Sequence, residues 1–514
     1  MLTYRIEWRI VECHPGEDSR LQNKARKVTR TSRKRSNKSL LIGWLAGAVT
    51  FVWMRDVAAG GVEGAITHNT YAFDGTTLGL IWAVPFMGIL LSIAVFPLIL
   101  PRFWHHHFGK VSVFWGLLFL VPLVINYGAK IATHEVAHTF LLEYIPFIIL
   151  LLALFTAAGG VRLRGNLEGS PAMNTGLLAF GTAIASCMGT TGAAMLLIRP
   201  LLHANAWRKH QVHTVVFFIF LVANIGGSLT PLGDPPLFLG FLKGVDFFWP
   251  TTHLLLPMLF LASTLLAVFY LLDSYFYRRE PEARVVHEHE PLRIEGGVNI
   301  LCIGGILGAV LLSGVWESGV TFDVLGTPLE LENVIRDFLL LGITALSWML
   351  TSKESRKANG FTWFPIIEVA KLFAGIFLTI IPVIAILKAG TSGQLSLLIE
   401  LVNTSDGPNN PMYFWMTGIL SSFLDNAPTY LVFFNTAGGD ADVLMGPGMM
   451  TLLAISAGAV FMGANTYVGN APNFMVRAIA EDRGVKMPSF FGYMGWSIVF
   501  LMPLFAIFTV IFLL

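Results

Sequence analysis

The sequence predicts an all-α polytopic membrane protein with about eleven transmembrane helices and two re-entrant hairpins, arranged as two inverted repeats. Three observations lead to this fold class. Of the 514 residues, 54% are hydrophobic and only 13% are charged, whereas about 25% of the residues in a soluble domain are charged. Long apolar segments recur along the chain, and a set of Gly, Thr and Pro residues recurs at one fixed offset.

The chain begins with a polar and strongly basic arm, residues 1–38, directly before the first apolar segment. Basic residues next to a transmembrane helix are typical of the cytoplasmic side, so this position favours a membrane protein over a nucleic-acid partner. The arm has no apolar pattern, and we expect it to be disordered. No cleavage site of small residues follows the run 40–54, which favours a first transmembrane helix over a signal peptide.

Eleven segments are long and apolar enough to cross a lipid bilayer, since a ~30 Å hydrocarbon core needs about 20 residues of helix. The predicted crossings are 40–58, 78–100, 111–127, 136–160, 214–243, 252–275, 299–316, 336–351, 364–389, 449–477 and 490–513. We divide the membrane part into two transmembrane halves, 39–298 and 299–514.

Two further apolar segments, 173–202 and 411–437, are interrupted near their middles. The interruptions are Gly189-Thr190-Thr191-Gly192 and Asp425-Asn426-Ala427-Pro428. Non-helical backbone at membrane depth is tolerated only where it is buried in protein or lines a cavity. We therefore expect two re-entrant hairpins whose tips face a site, the first opening from the cytoplasm and the second from outside.

The distribution of charge predicts the orientation. With the N-terminus in the cytoplasm, the basic clusters fall in predicted cytoplasmic loops, whereas the predicted outer loops 317–335 and 438–448 are mainly acidic. The basic clusters are 102–110, 162–164, 208–209, 278–279, 353–357 and 483–486. We expect a multi-pass protein of a bacterial-type inner membrane, with its N-terminus cytoplasmic and its C-terminus outside.

An internal repeat relates the two halves. Segments 185–190 and 227–236 correspond to segments 421–426 and 463–472, and in both comparisons the partners are 236 residues apart. Four residues keep their type at this offset: Gly227, Thr230, Gly233 and Pro236 recur as Gly463, Thr466, Gly469 and Pro472. The predicted orientation turns the two copies upside down relative to each other. Inverted repeats of this kind are typical of secondary transporters.

Each repeat contains a predicted broken helix, 214–243 in the first half and 449–477 in the second, because Gly and Pro cluster in its middle. Broken ends expose carbonyl groups that can coordinate a cation and N–H groups that favour an anion. Pairing each broken helix with one hairpin tip predicts two oxygen-rich sites. The first contains Thr190, Thr191, Asn224, Ser228, Thr230 and Asp234, and the second contains Asp425, Asn426, Thr429, Asn465, Thr466 and Asn470.

Asp234 and Asp425 are the ionisable residues of these predicted sites. A carboxylate at membrane depth is costly and is a functional hypothesis by default. Its oxygens can hold a proton or a hard cation such as Na⁺, and this competition is the chemistry of an antiporter. The alternatives are a helix cap for Asp425 and turn formation for Asp234. We expect Na⁺ and H⁺ as transported ions and no cofactor.

Two glutamates and a lysine of the predicted crossings are further candidates. Glu143 and Glu368 occupy similar places near the starts of the fourth and ninth crossings, and Lys371 follows Glu368 by one helical turn. Lys371 can therefore pair with Glu368. Structural pairing and a proton relay both remain open for these residues.

A competing motif is His134-Glu135-Val136-Ala137-His138, which fits H-E-x-x-H. On a helix this spacing puts two histidines on one face, where they can bind zinc with the glutamate as base. The remote alternative is thus a membrane zinc metalloprotease. The motif lies at the predicted outer start of a crossing, and nothing else in the sequence supplies a protease site. An interfacial His/Glu cluster without metal, in a protein that is not an enzyme, is the favoured interpretation.

The stretches 191–200 and 223–236, supported by 368–375 and 425–429, resemble the ion transporter superfamily. More closely, they look like the NhaD-type sodium/proton antiporters and the related citrate transporters of the CitMHS group. The resemblance covers roughly residues 75–514. It implies a scaffold domain and a transport domain, a homodimer, and elevator-like alternating access.

The hairpin tips depart from one branch of that superfamily. Its carboxylate symporters carry a Ser-Asn-Thr triplet at each tip, whereas the tips here read Gly189-Thr190-Thr191 and Asp425-Asn426-Ala427. An acidic residue at the second tip would also repel a di- or tricarboxylate. The sequence therefore favours exchange of Na⁺ or Li⁺ for H⁺, with sodium- or proton-coupled symport of citrate or another carboxylate as the alternative.

Overall fold

A computed structural model describes residues 73–165, 167–280, 293–405 and 407–514. The predicted basic arm, 1–38, and the first predicted crossing, 40–58, lie outside the described residues. Most of the described chain is helical, and its outer helices carry exposed apolar side chains such as Leu301 and Val315. The all-α polytopic membrane class is thereby confirmed.

Six helical stretches among the described residues are long and apolar enough to cross a membrane, or seven if a bent pair is counted as one span. Each stretch overlaps one or two of the predicted crossings. The six are Leu80–Ile99, Pro101–Ala158, Trp249–Tyr277, Gly297–Val315, Leu331–Leu350 and Phe490–Phe512, and the bent pair is Phe364–Thr379 with Ile381–Lys388. The total of eleven crossings stays a prediction.

The stretch Pro101–Ala158 contains two predicted crossings, 111–127 and 136–160. Its 58 residues would be about 87 Å long as a straight helix, far more than the ~30 Å core of a bilayer. The stretch is interrupted at Gly128, which has φ 83° and ψ 160°, a conformation that glycine adopts without a steric penalty. Its parts are the helix Pro101–Thr139, a π-helical turn Phe140–Tyr144, and the helix Ile145–Ala158.

The predicted cytoplasmic loop 102–110 is helical in the structure. The helix Val84–Ile99 ends at Leu100, and the next helix begins directly with Pro101. Proline has no N–H for the preceding turn but suits the first position of a helix, so a single residue separates the two helices. The basic residues of this segment therefore lie in helical turns rather than in a loop.

Three short antiparallel strand pairs connect helices, and the sequence analysis predicted none of them. The strands are two to four residues long, and alternation over so few residues is too short to indicate a strand, which needs about 4–8 residues. The pairs are Arg162–Arg164 with Arg293–Glu295, Thr321–Val324 with Thr327–Glu330, and Asn403–Thr404 with Gly407–Pro408. The second pair lies within the predicted outer loop 317–335, and the helix Leu331–Leu350 begins inside it.

Two pairs of helices occupy the positions of the predicted hairpins. In the first helix pair, Pro171–Met188 is joined to Thr190–Ala204 by Gly189, which has φ 81°. In the second helix pair, Asn410–Phe423 is joined to Asn426–Thr436 by Leu424 and Asp425. We call the two junctions the first and second tip. Their re-entrant character stays a prediction.

Two broken helices occupy the centre of the protein. The first consists of Val212–Leu221, a 3₁₀ turn Ile225–Ser228, and Pro235–Leu242. The second consists of Met449–Met462, a 3₁₀ turn Gly463–Asn465, and Ala471–Asp482. Their halves Val212–Leu221 and Met449–Met462 are almost entirely buried in the main apolar core. Three short α-helices and three 3₁₀ turns complete the described part: Lys353–Ala358, Ser396–Val402 and Ala441–Met445, with Gly75–Thr77, Leu80–Ala83 and Gly390–Ser392.

Candidate functional site

The breaks of the two central helices are in direct contact. Asn224, in the first break, donates from Nδ2 to Oδ1 of Asn473 at 2.7 Å. Asn470, in the second break, donates from Nδ2 to Oδ1 of Asn224 at 3.2 Å and to Oδ1 of Asp234 at 2.9 Å. All four side chains are buried. The two halves of the sequence thus share one polar centre.

Asp234 is the residue on which the interrupted segments converge. The hydroxyl of Thr190, at the first tip, donates to its Oδ1 at 3.0 Å. The amide of Asn426, at the second tip, donates to its Oδ2 at 2.5 Å. With Asn470, three side chains from three other segments donate to this carboxylate, which is 1% exposed.

The carboxylate of Asp234 does not cap the helix that follows it. Asp234 stands at the N-cap position of Pro235–Leu242, but its side chain makes no cap hydrogen bond. The next two residues, Pro235 and Pro236, have no backbone N–H to offer it. The carboxylate therefore binds side chains of other segments, and local turn formation alone does not account for its contacts.

Asp425 has a different environment. Its Oδ1 accepts from the backbone N–H of Ala427 at 3.1 Å, and its carbonyl accepts from the hydroxyl of Thr429 at 2.9 Å. The helix-cap alternative therefore describes this side chain. It is partly exposed, yet close enough to Asp234 for the two charges to interact.

The same hydroxyl-to-backbone hydrogen bonds occur next to the centre in both halves of the sequence. The hydroxyl of Ser186 donates to the backbone of the first break at 2.6 Å, and that of Ser422, 236 residues later, donates to the backbone of the second break at 3.0 Å. Thr230 donates to the carbonyl of Ser186, and Thr466 donates to the carbonyl of Ser422. Thr230 and Thr466, which the sequence analysis assigned to the sites, thus attach each break to the helix that leads to a tip.

Glycine is required where each break folds back on itself. A Cβ on Gly233 would collide with the backbone of Gly227, and a Cβ on Gly469 would lie 2.6 Å from the carbonyl oxygen of Gly463. Non-bonded carbon and oxygen atoms do not approach so closely. These four glycines are among the residues whose recurrence first indicated the repeat.

The remaining predicted site residues lie around the centre. Ser228 donates to the carbonyl of Ile225 within its 3₁₀ turn at 2.9 Å, and Asn465 donates to the hydroxyl of Ser422 at 2.9 Å. Thr191 lines a cavity beside the first tip. The two predicted oxygen-rich sets therefore meet at a single centre, because residues of the second set, Asn426 and Asn470, bind Asp234 of the first.

Two buried amide oxygens near the centre have no hydrogen-bond partner within the described part of the chain. They are Oδ1 of Asn426 and Oδ1 of Asn465. Leaving a buried acceptor unpaired costs about 1–3 kcal/mol. Each oxygen can accept a hydrogen bond or coordinate a cation. The centre therefore offers two oxygen ligands in addition to its carboxylate.

A cavity of about 110 Å³ lies beside Asp234 and the first tip. Its far wall consists of apolar residues from the helices Ile145–Ala158 and Phe364–Thr379, including Leu154 and Val369. Asp234 is the one charged side chain among the described residues that line it. The cavity therefore gives a small ion room next to the carboxylate without presenting a basic group.

Glu143 forms an ion pair that the sequence analysis did not predict. It lies in the π-helical turn, is 5% exposed, and its Oε1 is 2.5 Å from Nζ of Lys243, just after the first broken helix. Its Oε2 has no hydrogen-bond partner among the described residues. The pair joins the first broken helix to the long helical stretch before it.

The predicted pair of Glu368 with Lys371 does not form in the described structure. Glu368 accepts a hydrogen bond from the indole N–H of Trp104 at 3.2 Å. The ammonium of Lys371 lies 5.5 Å from the ring centroid of Phe108, where a cation–π attraction replaces the ion pair. These contacts hold the helix Phe364–Thr379 against the long stretch.

The H-E-x-x-H motif lies near the end of the helix Pro101–Thr139. The rings of His134 and His138 are 6.2 Å apart between centroids, and Nδ1 of His134 is 3.4 Å from the carbonyl of Leu325. Across residues 73–514, apart from the undescribed gaps, no three His, Cys, Asp or Glu side chains are placed to hold a metal ion. Within the described residues, the two histidines of the zinc alternative, with Glu135 as base, therefore have no third metal ligand beside them.

One residue of the centre was missed. Asn473 donates from Nδ2 to the carbonyls of Gly463 and Thr466, both at 2.9 Å, and accepts from Asn224. Its counterpart in the first repeat is the apolar Leu237. A polar residue at a position that is apolar in the other repeat was the signal that could have identified it.

Comparison with protein families gives one match. The family model CitMHS_2, described as "Putative citrate transport", matches residues 75–513. No curated protein matches the chain. The matched span contains both helix pairs, both broken helices and every residue of the centre around Asp234.

Proposed function

This chain belongs to the CitMHS_2 family, and we propose that, as a secondary active transporter, it exchanges Na⁺ or Li⁺ for H⁺. Family membership supports secondary transport. The observation that carries the choice of ion is the buried carboxylate of Asp234 beside a cavity whose described lining includes no basic residue. The proposal includes a bacterial-type inner membrane, a cytoplasmic N-terminus, a C-terminus outside, and a homodimer.

The chemistry of the centre suits two alternative occupants. In the proton-loaded state, the carboxyl group of Asp234 holds the proton. In the cation-loaded state, the carboxylate, the Thr190 hydroxyl oxygen and Oδ1 of Asn426 coordinate the ion. Rotation of the Asn426 amide exchanges its N–H donor for its oxygen, which has no partner among the described residues. Proton and cation therefore compete for one carboxylate.

Citrate suits this cavity poorly. Two like charges about 4 Å apart repel by roughly 4 kcal/mol at the effective dielectric constant near a protein surface, and the charged residue in the described lining of the cavity, Asp234, is acidic. The charge of Asp425 lies close enough to act on Asp234. The cavity of about 110 Å³ is also smaller than the ~300–1,000 Å³ of most small-molecule sites. Size and charge both favour a monovalent cation.

Alternating access would use the two broken helices and the two tips as the moving part. The cavity is lined by the first tip on one side and by the helices Ile145–Ala158 and Phe364–Thr379 on the other, so sliding along this boundary would expose Asp234 to one side of the membrane and then the other. The ion pair of Lys243 with Glu143 crosses the same boundary and would open or re-form during this motion.

A second candidate is sodium- or proton-coupled symport of a carboxylate. The helices Thr190–Ala204 and Asn426–Thr436 both begin at the centre, and helix N-termini favour an anion. This candidate is also the one that the family description suggests. It requires a proton or a cation on Asp234 before the anion arrives.

Everted membrane vesicles separate the two candidates. For antiport, adding Na⁺ or Li⁺ to energised vesicles collapses the pH gradient, and labelled citrate does not accumulate. For symport, citrate accumulates only with a Na⁺ or H⁺ gradient, and Na⁺ alone leaves the pH gradient unchanged. The second result would contradict the proposed exchange.

A further inference from the structure

A second cavity, of about 290 Å³, lies apart from the centre at the predicted cytoplasmic side. Its walls come from the strand Arg162–Arg164, the far half of the helix Thr190–Ala204, the end of the helix Lys353–Ala358, and Arg483, which follows the second broken helix. Four arginines line it, and no acidic residue is among its described lining residues. The four are Arg162, Arg164, Arg199 and Arg483.

Arg199 is the central residue of this cavity. Its Nη1 is buried and has no hydrogen-bond partner within the described ranges. Its Nη2 lies against Gly360, and its charge interacts with that of Arg483. A buried guanidinium N–H without a partner, next to a second positive charge, is energetically unfavourable. An anion between the two arginines would remove both costs.

Neighbouring acids neutralise only part of the charge. Arg162 and Arg164 share a single carboxylate, Glu295, and both contacts are as long as 3.4 Å. The amide of Asn359 is already used by the carbonyls of Gly159 and Val161. Among the described residues, four guanidinium groups therefore line the cavity and a single carboxylate, Glu295, pairs with two of them, which leaves an excess of positive charge in this part of the structure.

We propose that this cavity binds the phosphate group of an anionic phospholipid. Guanidinium groups bind phosphate with two parallel hydrogen bonds, and basic pockets between transmembrane helices at the cytoplasmic side bind acidic lipid headgroups. One wall is apolar, with Leu163, Met195 and Leu196, and this wall suits the glycerol and upper acyl part of a lipid. Free phosphate shares the chemistry but leaves the apolar wall uncovered.

The position of the cavity implies an effect on transport. Arg199 lies on the same helix as Thr190, which donates to Asp234, about 14 Å away at 1.5 Å per residue. A lipid bound between Arg199, Arg162 and Arg483 would connect this helix to two segments distant in the sequence. The bound headgroup would thereby stabilise one arrangement of the first helix pair.

The test measures lipid binding to the purified full-length protein in a neutral detergent, without any transport readout. Native mass spectrometry and thermal unfolding are recorded with phosphatidylglycerol, phosphatidylcholine, inorganic phosphate and citrate. The variants are R199Q, R483Q and the double variant, with R199K keeping the charge. R279Q is the matched control, because Arg279 is exposed on the same predicted side and packs on Tyr275.

We expect phosphatidylglycerol to bind and to raise Tm in the wild type, R199K and R279Q, with more than half of this increase lost in R199Q/R483Q. R483Q, altered at an exposed residue, keeps the test valid if R199Q fails to fold. If inorganic phosphate competes with phosphatidylglycerol for binding, the cavity recognises the phosphate group. If inorganic phosphate alone raises Tm as much as the lipid does, the ligand of the cavity is free phosphate rather than a lipid. Equal lipid effects in all variants, or displacement by citrate but not by phosphate, would overturn the proposal.

Discussion

Replacing Asp234 with asparagine removes the negative charge of the centre and keeps the size of the side chain. The new Oδ1 can accept from Thr190 and Asn470 as the carboxylate does. The new Nδ2 faces the amide of Asn426, whose unpartnered Oδ1 can turn to accept it. The hydrogen-bond network stays complete, so we expect D234N to fold and to insert normally.

The loss of charge has a large effect on cation binding. A unit charge about 4 Å from the ion contributes roughly 4 kcal/mol at an effective dielectric constant of 20, and each 1.4 kcal/mol is about a tenfold change in affinity. Cation affinity should therefore fall about a thousandfold. Asparagine also cannot carry the exchanged proton, so the variant should lose exchange altogether.

The assay is the cation-induced collapse of the pH gradient in everted vesicles, with the amount of inserted protein matched by immunoblot. D246N is the control, because Asp246 is an exposed aspartate of the same half outside the centre, and it should exchange as the wild type does. If D234N exchanges Na⁺ with wild-type rate and half-saturation, Asp234 is not the binding carboxylate and the reasoning fails.

Three further predictions follow from individual contacts. D425N should keep its helix cap and fold normally, with a cation affinity about tenfold lower, whereas D425A should also lose ~1 kcal/mol of cap stability; vesicle exchange and thermal unfolding measure the two effects. E143Q and K243Q should each lower the unfolding temperature, and the double variant should lose less than the sum, because the two residues form one ion pair; additive losses would contradict this pairing. N473L, which copies the residue of the first repeat, should abolish exchange with protein still inserted, because the contact with Asn224 is lost; wild-type exchange would show that this contact is dispensable.

The positions of the breaks were predictable because glycine and proline act locally. The clusters around Gly227 and Gly463 interrupt helices wherever they stand in a fold. Their recurrence at one offset indicated that the two interruptions are equivalent, and the repeated contacts of Ser186 and Ser422 agree with this. The resemblance to the CitMHS group was confirmed by the family match over residues 75–513.

The roles of the two aspartates were harder to predict. Both stand at the start of a helix, but the backbone N–H of Ala427, two residues after Asp425, donates to the Asp425 carboxylate, which therefore caps its own helix. Asp234 precedes Pro235 and Pro236, which have no N–H, so its carboxylate turns to other segments. Tertiary packing decides which segments the carboxylate of Asp234 contacts. A local sequence pattern contains no information on this packing.

The ion pairs show the same limit of local reasoning. Glu368 and Lys371 have the spacing of a helical pair, yet Trp104 and Phe108 of another helix bind them instead. Lys243, at the end of the first broken helix, pairs with Glu143, 100 residues earlier. Contacts between distant segments decided both cases.

The central claim is that a cation and a proton compete for Asp234. Isothermal titration of the purified protein with Na⁺, in two buffers of different ionisation enthalpy, measures this competition directly. We expect the heat of Na⁺ binding to differ between the buffers in the wild type, because a proton is released, and D234N to show no such difference. Na⁺ binding with the same heat in both buffers, without proton release, would contradict it.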